Sequence, residues 1–306
     1  MSRRAFLAAA AALSLAACQT VPAPAPAPAP AAPPAPPPPH PPAPRRPPRL
    51  GLALGGGAAR GFAHIGVIQV LEEAGVRPDL VVGTSAGSLV AALYAHGKTG
   101  SELAAMALTM DEGAITDWAF PSRGLIRGEA LARYVREQTG NQLIEQMKLP
   151  LGIVATDLDS GAGVLFRRGD TGTAVRASSS VPAVFQPVRI GEREYVDGGL
   201  VSPVPVRYAR EMGAEMVIAV DISSPPDGAA TDGTMRLLLQ TFAIMGKSIN
   251  RFELREADVV LRPALVGVSS ADFTSRVRAI RAGREKATEL LPEIRSKLQA
   301  LARPAG

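Results

Sequence analysis

Sixteen of the chain's 28 prolines fall between Pro22 and Pro48, most of them interleaved with alanine. Proline fixes φ and removes the donor N–H, so this stretch enters neither a helix interior nor a central strand and is expected as polyproline II. At about 3.1 Å per residue it reaches roughly 80 Å, which makes it a tether. His40 lies within it as a passenger. Only the residues after the tract have the composition to build a core. The net charge of +5 divides the same way, because Arg3, Arg4, Arg45, Arg46 and Arg49 precede residue 50 with no acid among them. Removing those five leaves the rest near neutral, so composition gives no support to a nucleic-acid-binding surface.

Ahead of the tether, Arg3-Arg4 lead into an apolar run over residues 5–17 that closes on Leu15-Ala16-Ala17 before Cys18, the single cysteine. Crossing a bilayer takes roughly 20 apolar residues. The run is too short for that and reads as a signal peptide, residues 1–17. Leu-Ala-Ala-Cys resembles the lipobox of bacterial lipoproteins, which implies a diacylglyceryl group on the Cys18 sulfur and an acylated amine. Residues 18–49 are then lipidated cysteine and tether. Anchoring by several acyl chains is stable, so the expected location is the bacterial cell envelope, on the periplasmic side or at the outer membrane, with Cys18 holding the protein to a membrane surface. A plain signal peptide with an incidental cysteine is the rival reading. The arginine pair suits either general or twin-arginine export.

Residues 50–306 alternate strand and helix patterns. Leu50 to Leu54 is a short apolar strand ending in three glycines, and Phe62 to Ala74 carries Val67, Val70 and Leu71 at helical spacing. Leu80-Val81-Val82 is a second buried strand running into Gly83-Thr84-Ser85-Ala86-Gly87 and a helix closed by Gly97. Further strands are expected over 151–155, 164–166, 216–220 and 259–261, with helices near 128–138, 203–212, 235–256 and 284–302. The alternation argues for an α/β layer fold with a mostly parallel sheet, whose ligands sit at the carboxyl ends of strands.

Gly83-x-Ser85-x-Gly87 between strand and helix has the nucleophile-elbow pattern, in which glycines permit a strained turn that exposes a serine hydroxyl. That hydroxyl needs a base. The only histidines are His40, His64 and His96, and none follows a late Asp as an elbow hydrolase with a histidine requires. His64 reads as a packed helix residue and His96 as a helix C-terminal cation. A carboxylate is left as the base. Asp197 in Tyr195-Val196-Asp197-Gly198-Gly199 is the best placed, since Gly198 and Gly199 let the backbone turn closely, while Asp157, Asp159 and Asp221 stand in reserve at strand ends. Gly55-Gly56-Gly57-Ala58-Ala59-Arg60-Gly61 aims amides into a concavity fit for phosphate or an oxyanion. A dinucleotide site lacks its acid at the end of the second strand, and no Gly-Lys-Ser/Thr marks a P-loop.

Taken in order, Gly-Gly-Gly-x-x-Arg-Gly, Gly-x-Ser-x-Gly and Asp-Gly-Gly resemble the patatin-like phospholipases of bacteria, here in lipoprotein form. Gly61 to Val67, Gly124-Leu125-Ile126-Arg127-Gly128, Ala155-Thr156-Asp157 and Ala177 to Pro187 extend the likeness, which covers residues 50–222 of a domain spanning 50–306. The resemblance implies a three-layer α/β/α sandwich with a mostly parallel central sheet. It also implies a Ser-Asp dyad without histidine: Ser85 as nucleophile, Asp197 as base, and Gly55, Gly56, Gly57, Ala58 and Arg60 as the oxyanion loop, with the Gly56 and Gly57 amides foremost. A phospholipid or lysophospholipid is the implied substrate, and no metal or other cofactor is expected. An ordinary carboxylate, with pKa near 4, is a poor base for serine, so burial must raise it. Asp117-Trp118-Ala119-Phe120-Pro121 reads either as a lipid-touching edge of the site or as a loop packed on its own domain. The rival from another class is a non-catalytic lipoprotein using the same cleft to bind lipid or a partner.

Overall fold

The computed structural model describes residues 45–115, 117, 124–224, 233–269 and 272–304, all inside one compact unit, Ala43–Gly306. Cys18, His40, the leader and the proline tract lie outside the described residues, as do residues 118–121. In chain order the first elements are β1 (Arg45–Arg46), β2 (Leu50–Leu54), α1 (Phe62–Glu73), β3 (Leu80–Thr84), α2 (Ala86–His96), α3 (Gly100–Thr109), β4 (Gly124–Ile126), α4 (Glu129–Gln138) and β5 (Leu151–Asp157). After them come β6 (Gly163–Phe166), α5 (Thr171–Ser178), β7 (Ala183–Phe185), β8 (Val188–Ile190), β9 (Arg193–Asp197), α6 (Val206–Glu211) and β10 (Met216–Val220). The chain closes with α7 (Thr234–Glu253), β11 (Val259–Leu261), α8 (Arg276–Ala300) and β12 (Arg303–Pro304).

The central sheet runs β11-β10-β2-β3-β5-β9-β8, with β6 on β5. The five strands from β11 to β5 are mutually parallel, while β6, β8 and β9 join antiparallel. Parallel strands covered on both faces read as unbroken apolar runs, and β2 (LGLAL) and β10 (MVIAV) are buried along their whole length for that reason. Alternation along each strand feeds two cores. Leu52, Leu54, Val81, Ile153 and Ile218 pack with α1, α2 and α8 on one face. Ala53, Val82, Val154, Val217 and Ala219 pack with Tyr208 and Ala209 of α6 on the other. The result is a three-layer α/β/α sandwich, as expected.

The last helix starts at Arg276, eight residues before the sequence pattern places it. Gly283 looks like a breaker, but a Cβ there would sit 2.0 Å from the Ala63 carbonyl oxygen, and one at Gly66 2.0 Å from that of Ile280. Both glycines let α1 and α8 touch backbone to backbone. At the entry to the body, β1 pairs antiparallel with β12. Arg46 donates from Nη1 and Nη2 to Glu215 at 2.6 and 2.9 Å, and Arg303 Nη1 approaches the same carboxylate at 3.2 Å. The Arg46 guanidinium above all holds Glu215 down at a pKa of about 2.

Candidate active site

β3 delivers Thr84 to the carboxyl edge of the sheet, and the next residue, Ser85, turns with φ 52° and ψ −125° into the first turn of α2. Holding a non-glycine residue at such angles costs on the order of 1–3 kcal/mol, so the surroundings must fix it. They do so through Ser178 at the end of α5. The Ser85 N–H donates to Ser178 Oγ at 2.9 Å, and that hydroxyl donates in turn to the Val154 carbonyl at 2.5 Å. Ser88 closes the turn from the other side, its Oγ donating to the Ser85 carbonyl at 2.6 Å. A Cβ at Gly87 would lie 2.1 Å from the Leu54 carbonyl oxygen, so the elbow pattern leaves α2 free to sit directly on the end of β2.

Asp197 ends β9, on the far side of β5 from Ser85. Thr84 pairs with Val154 and Asp197 with Ala155, so consecutive residues of β5 bring the two side chains to one edge. The Asp197 N–H donates to the Ser180 carbonyl at 2.9 Å, and its own carbonyl accepts from Thr156 Oγ1 at 2.8 Å. One carboxyl oxygen, Oδ1, accepts the Gly199 N–H at 2.7 Å. The other, Oδ2, is buried with no hydrogen-bond partner. Burial pushes the carboxyl up to a pKa of about 6, while the nearby Ser85 hydroxyl and the Gly199 N–H pull it partly back. Ser85 is therefore close enough to act on the carboxyl, yet no hydrogen bond of ordinary length and angle joins them.

The Gly-rich loop lies against the serine, and a Cβ at Gly56 would stand 3.1 Å from Ser85 Cβ and 3.9 Å from its Oγ. Its donors are distributed differently from the sequence expectation. The Gly55 N–H is spent on the Val220 carbonyl at 3.1 Å and the Gly56 N–H on that of Pro203 at 2.9 Å. Among the described residues no acceptor holds the N–H groups of Gly57 or Ala58, which open the short 3-10 helix Ala58–Gly61. The first N–H groups of a helix have no internal partner, so these two amides, rather than that of Gly56, are available to an anion. Arg60 is buried but turns its Nη1 to Ser224 Oγ at 2.6 Å. Burial lowers its pKa, offset in part by Asp221.

The remaining sequence candidates are occupied elsewhere. His64 is fully buried, bonds the Gly55 carbonyl through Nε2 at 2.8 Å, and is driven down by burial to a pKa of about 4. His96 meets Gln142 Oε1 at 2.9 Å. Asp157 takes the Ser160 N–H at 2.9 Å and Arg193 Nη1 at 2.6 Å, which hold it at a pKa of about 2. Asp159 donates its N–H to Asp157, and Asp221 receives the Ser223 N–H and Arg262 Nε. Asp117 uses both carboxyl oxygens to cap α4 at Gly128, Glu129 and Ala130, while its Trp118 neighbour lies outside the described residues. Sequence reasoning assigned no part to Ser178 or Ser180, although together they tether the backbones of Ser85 and Asp197. It also passed over Ser202, which donates to buried Glu253 at 2.5 Å and accepts from Thr84 Oγ1 through its carbonyl at 2.9 Å.

A nucleophile-like serine, a buried carboxyl group and two amides on a glycine loop make a constellation suited to acyl transfer. Comparison with known proteins agrees in kind. The family model described as patatin-like phospholipase matches residues 52–210, a span that includes every one of these groups. An uncharacterized NTE family protein of Mycobacterium tuberculosis is 38% identical over 188 residues, covering 60% of this chain and 52% of that protein. Patatin-like phospholipase domain-containing protein 6 of Mus musculus is 36% identical over 183 residues, which is 57% of this chain and 14% of the mouse protein. The chain thus matches about half the length of the mycobacterial relative and a much smaller share of the mouse one. VipD from Legionella pneumophila superposes with a TM-score of 0.56 at 14% identity, over 81% of this chain and 68% of that one, a likeness of fold. The chain belongs to the patatin-like phospholipase family.

Proposed function

We propose that this chain hydrolyses carboxylic esters of lipids, as a phospholipase A or lysophospholipase, through an acyl intermediate on Ser85 with Asp197 as the only base. The observation that carries this reading is the unpartnered Oδ2 of a buried carboxyl group whose pKa lies near 6, beside a serine in a strained turn. A base works best when its pKa lies near the working pH, and burial supplies most of that adjustment. The Ser85 hydroxyl passes its proton to Asp197 Oδ2 as Oγ bonds to the ester carbonyl carbon. The carbonyl oxygen, now negative, lies on the Gly57 and Ala58 amides, and one such donor is worth roughly 10² to 10³ in rate. Collapse breaks the bond to the alcohol, which leaves with the proton from Asp197. Water then gives a proton to Asp197 and attacks the acyl carbon, and the fatty acid departs as Ser85 recovers its hydrogen.

Lipidation at Cys18 would place this activity at the envelope membrane, where its substrate is. Purified protein should hydrolyse a p-nitrophenyl ester and a lysophospholipid and should label with a fluorophosphonate at the peptide that contains Ser85. Ser85→Ala should abolish all three, and Asp197→Asn the first two. Full hydrolysis by either variant refutes the dyad. Mass analysis of the mature N-terminal peptide tests the anchor, since an unmodified Cys18 removes it.

A further inference from the structure

α7 is twenty residues long, yet only Asn250 and Glu253 of it are buried. Leu237, Leu238, Leu239, Ile244, Met245 and Phe252 are all exposed, Phe252 to 65%. A run of such side chains left in water marks a surface that meets something apolar. At 3.6 residues per turn all of these but Leu239 share an arc of about 120°. Arg236, Lys247 and Arg251 fall together on the arc beside it, and no acid occurs between residues 234 and 252. Among the described residues none of the three cations enters an ion pair. No helix among the described residues is long and apolar enough to cross a membrane. An apolar arc bordered by cations is the pattern of a helix lying in the plane of an interface.

The helix is also fastened to the wall of the site. Asn250 Nδ2 donates to Ser223 Oγ at 3.0 Å, and Glu253 accepts from Ser202. Ser202 holds Thr84, the neighbour of Ser85, while the next residue, Pro203, holds the Gly56 amide. A Cβ on Gly246 of α7 would lie 3.5 Å from the Pro203 ring. Whatever α7 lies on is therefore brought close to the residues that hold Thr84 and Gly56 beside Ser85.

We propose that α7 is an in-plane docking helix for an anionic lipid surface, its apolar arc in the acyl boundary and Arg236, Lys247 and Arg251 against the headgroups. Its consequence for turnover rests on the lipid-hydrolase reading above, whereas binding itself does not. The test uses the full chain with Cys18→Ser, so that no acyl anchor contributes, and compares it with two further variants in that background. One combines Leu237→Ser, Ile244→Ser and Phe252→Ser; the other combines Arg236→Gln, Lys247→Gln and Arg251→Gln. Co-sedimentation is measured with vesicles of phosphatidylcholine alone and of phosphatidylcholine with one quarter phosphatidylglycerol. The apolar variant should lose about tenfold or more in partitioning to the mixed vesicles. The charge variant should lose about tenfold or more there too, and little on phosphatidylcholine alone. Both should keep full hydrolysis of soluble p-nitrophenyl butyrate while their hydrolysis of vesicle lipid falls with binding. Unchanged vesicle binding in both variants overturns the proposal. So does a change from dimer to monomer in the apolar variant with vesicle binding intact, which would make this face a contact between copies. If no protein cleaves the soluble ester, the hydrolase reading fails while the binding arms still decide the role of α7.

Discussion

At the scale of single residues, one carboxyl group sets the working pH. Asp197 must be ionised to take the serine proton, so kcat/KM for a soluble ester should rise through a midpoint near pH 6 and level off above pH 7. A profile flat from pH 4.5 to 8 would mean that Asp197 is not the base. The Ser85 hydroxyl lowers this pKa, so Ser85→Ala should move the Asp197 titration to higher pH, as read by carboxyl carbon NMR. Ser178 has a different part, holding Ser85 by its amide. Ser178→Ala leaves the Ser85 N–H without its acceptor at a buried point, which costs about 1–3 kcal/mol. The variant should lose kcat by tenfold or more with KM little changed, and a fall in KM and kcat alike would count against a positioning role. The candidates Ser85 and Asp197 were legible because glycines on either side of Ser85, and two directly after Asp197, leave a local pattern. Ser178 was not, since its work is to join β3 to β5 from a third element, and no spacing in the chain records that.

At the scale of elements, buried apolar runs announce themselves even when they are short. The expected strand at 259–261 and the helix near 128–138 correspond closely to β11 and α4. Residues 100–109 drew no expectation, although Thr99 and Glu102 form a capping box at the start of α3. There the glycines at 97 and 100 mask the start signal with a stop signal. Gly283 misled for a related reason, because a glycine that permits close helix contact looks the same in sequence as one that ends a helix. Gly283→Ala sets a methyl group 2.0 Å from the Ala63 carbonyl oxygen. The α1–α8 pair must move apart, at about 1–3 kcal/mol, and Tm should fall by about 3–10 °C. An unchanged Tm would show that the two helices can separate freely.

At the scale of the whole molecule, two buried groups make opposing contributions to stability over the same pH range. His64 titrates near pH 4 when folded and near 6.5 when unfolded, so the unfolded chain binds more protons between those values, and stability rises with pH there by up to about 3 kcal/mol. Asp197 has its folded pKa raised from 3.8 to about 6, so the folded chain binds more protons across that window, and stability falls with rising pH by a similar amount. Asp197→Asn removes the second contribution and leaves the first. The Tm of the variant minus that of the natural chain should therefore grow from pH 4 to pH 7, and a constant difference would exclude a perturbed Asp197. The parallel half of the sheet was legible from strand-helix alternation. Its antiparallel extension through β9 and β8, which carries Asp197, was not, because REYVD and VRI mix charged with apolar residues and leave too little pattern. Finally, the clasp of β1 on β12, fastened by Arg46, Arg303 and Glu215, makes the body nearly a closed ring. A mechanical load arriving from upstream of Arg45 meets this clasp first. In a pulling experiment the seam should tear before β2 is peeled from the sheet that carries Ser85.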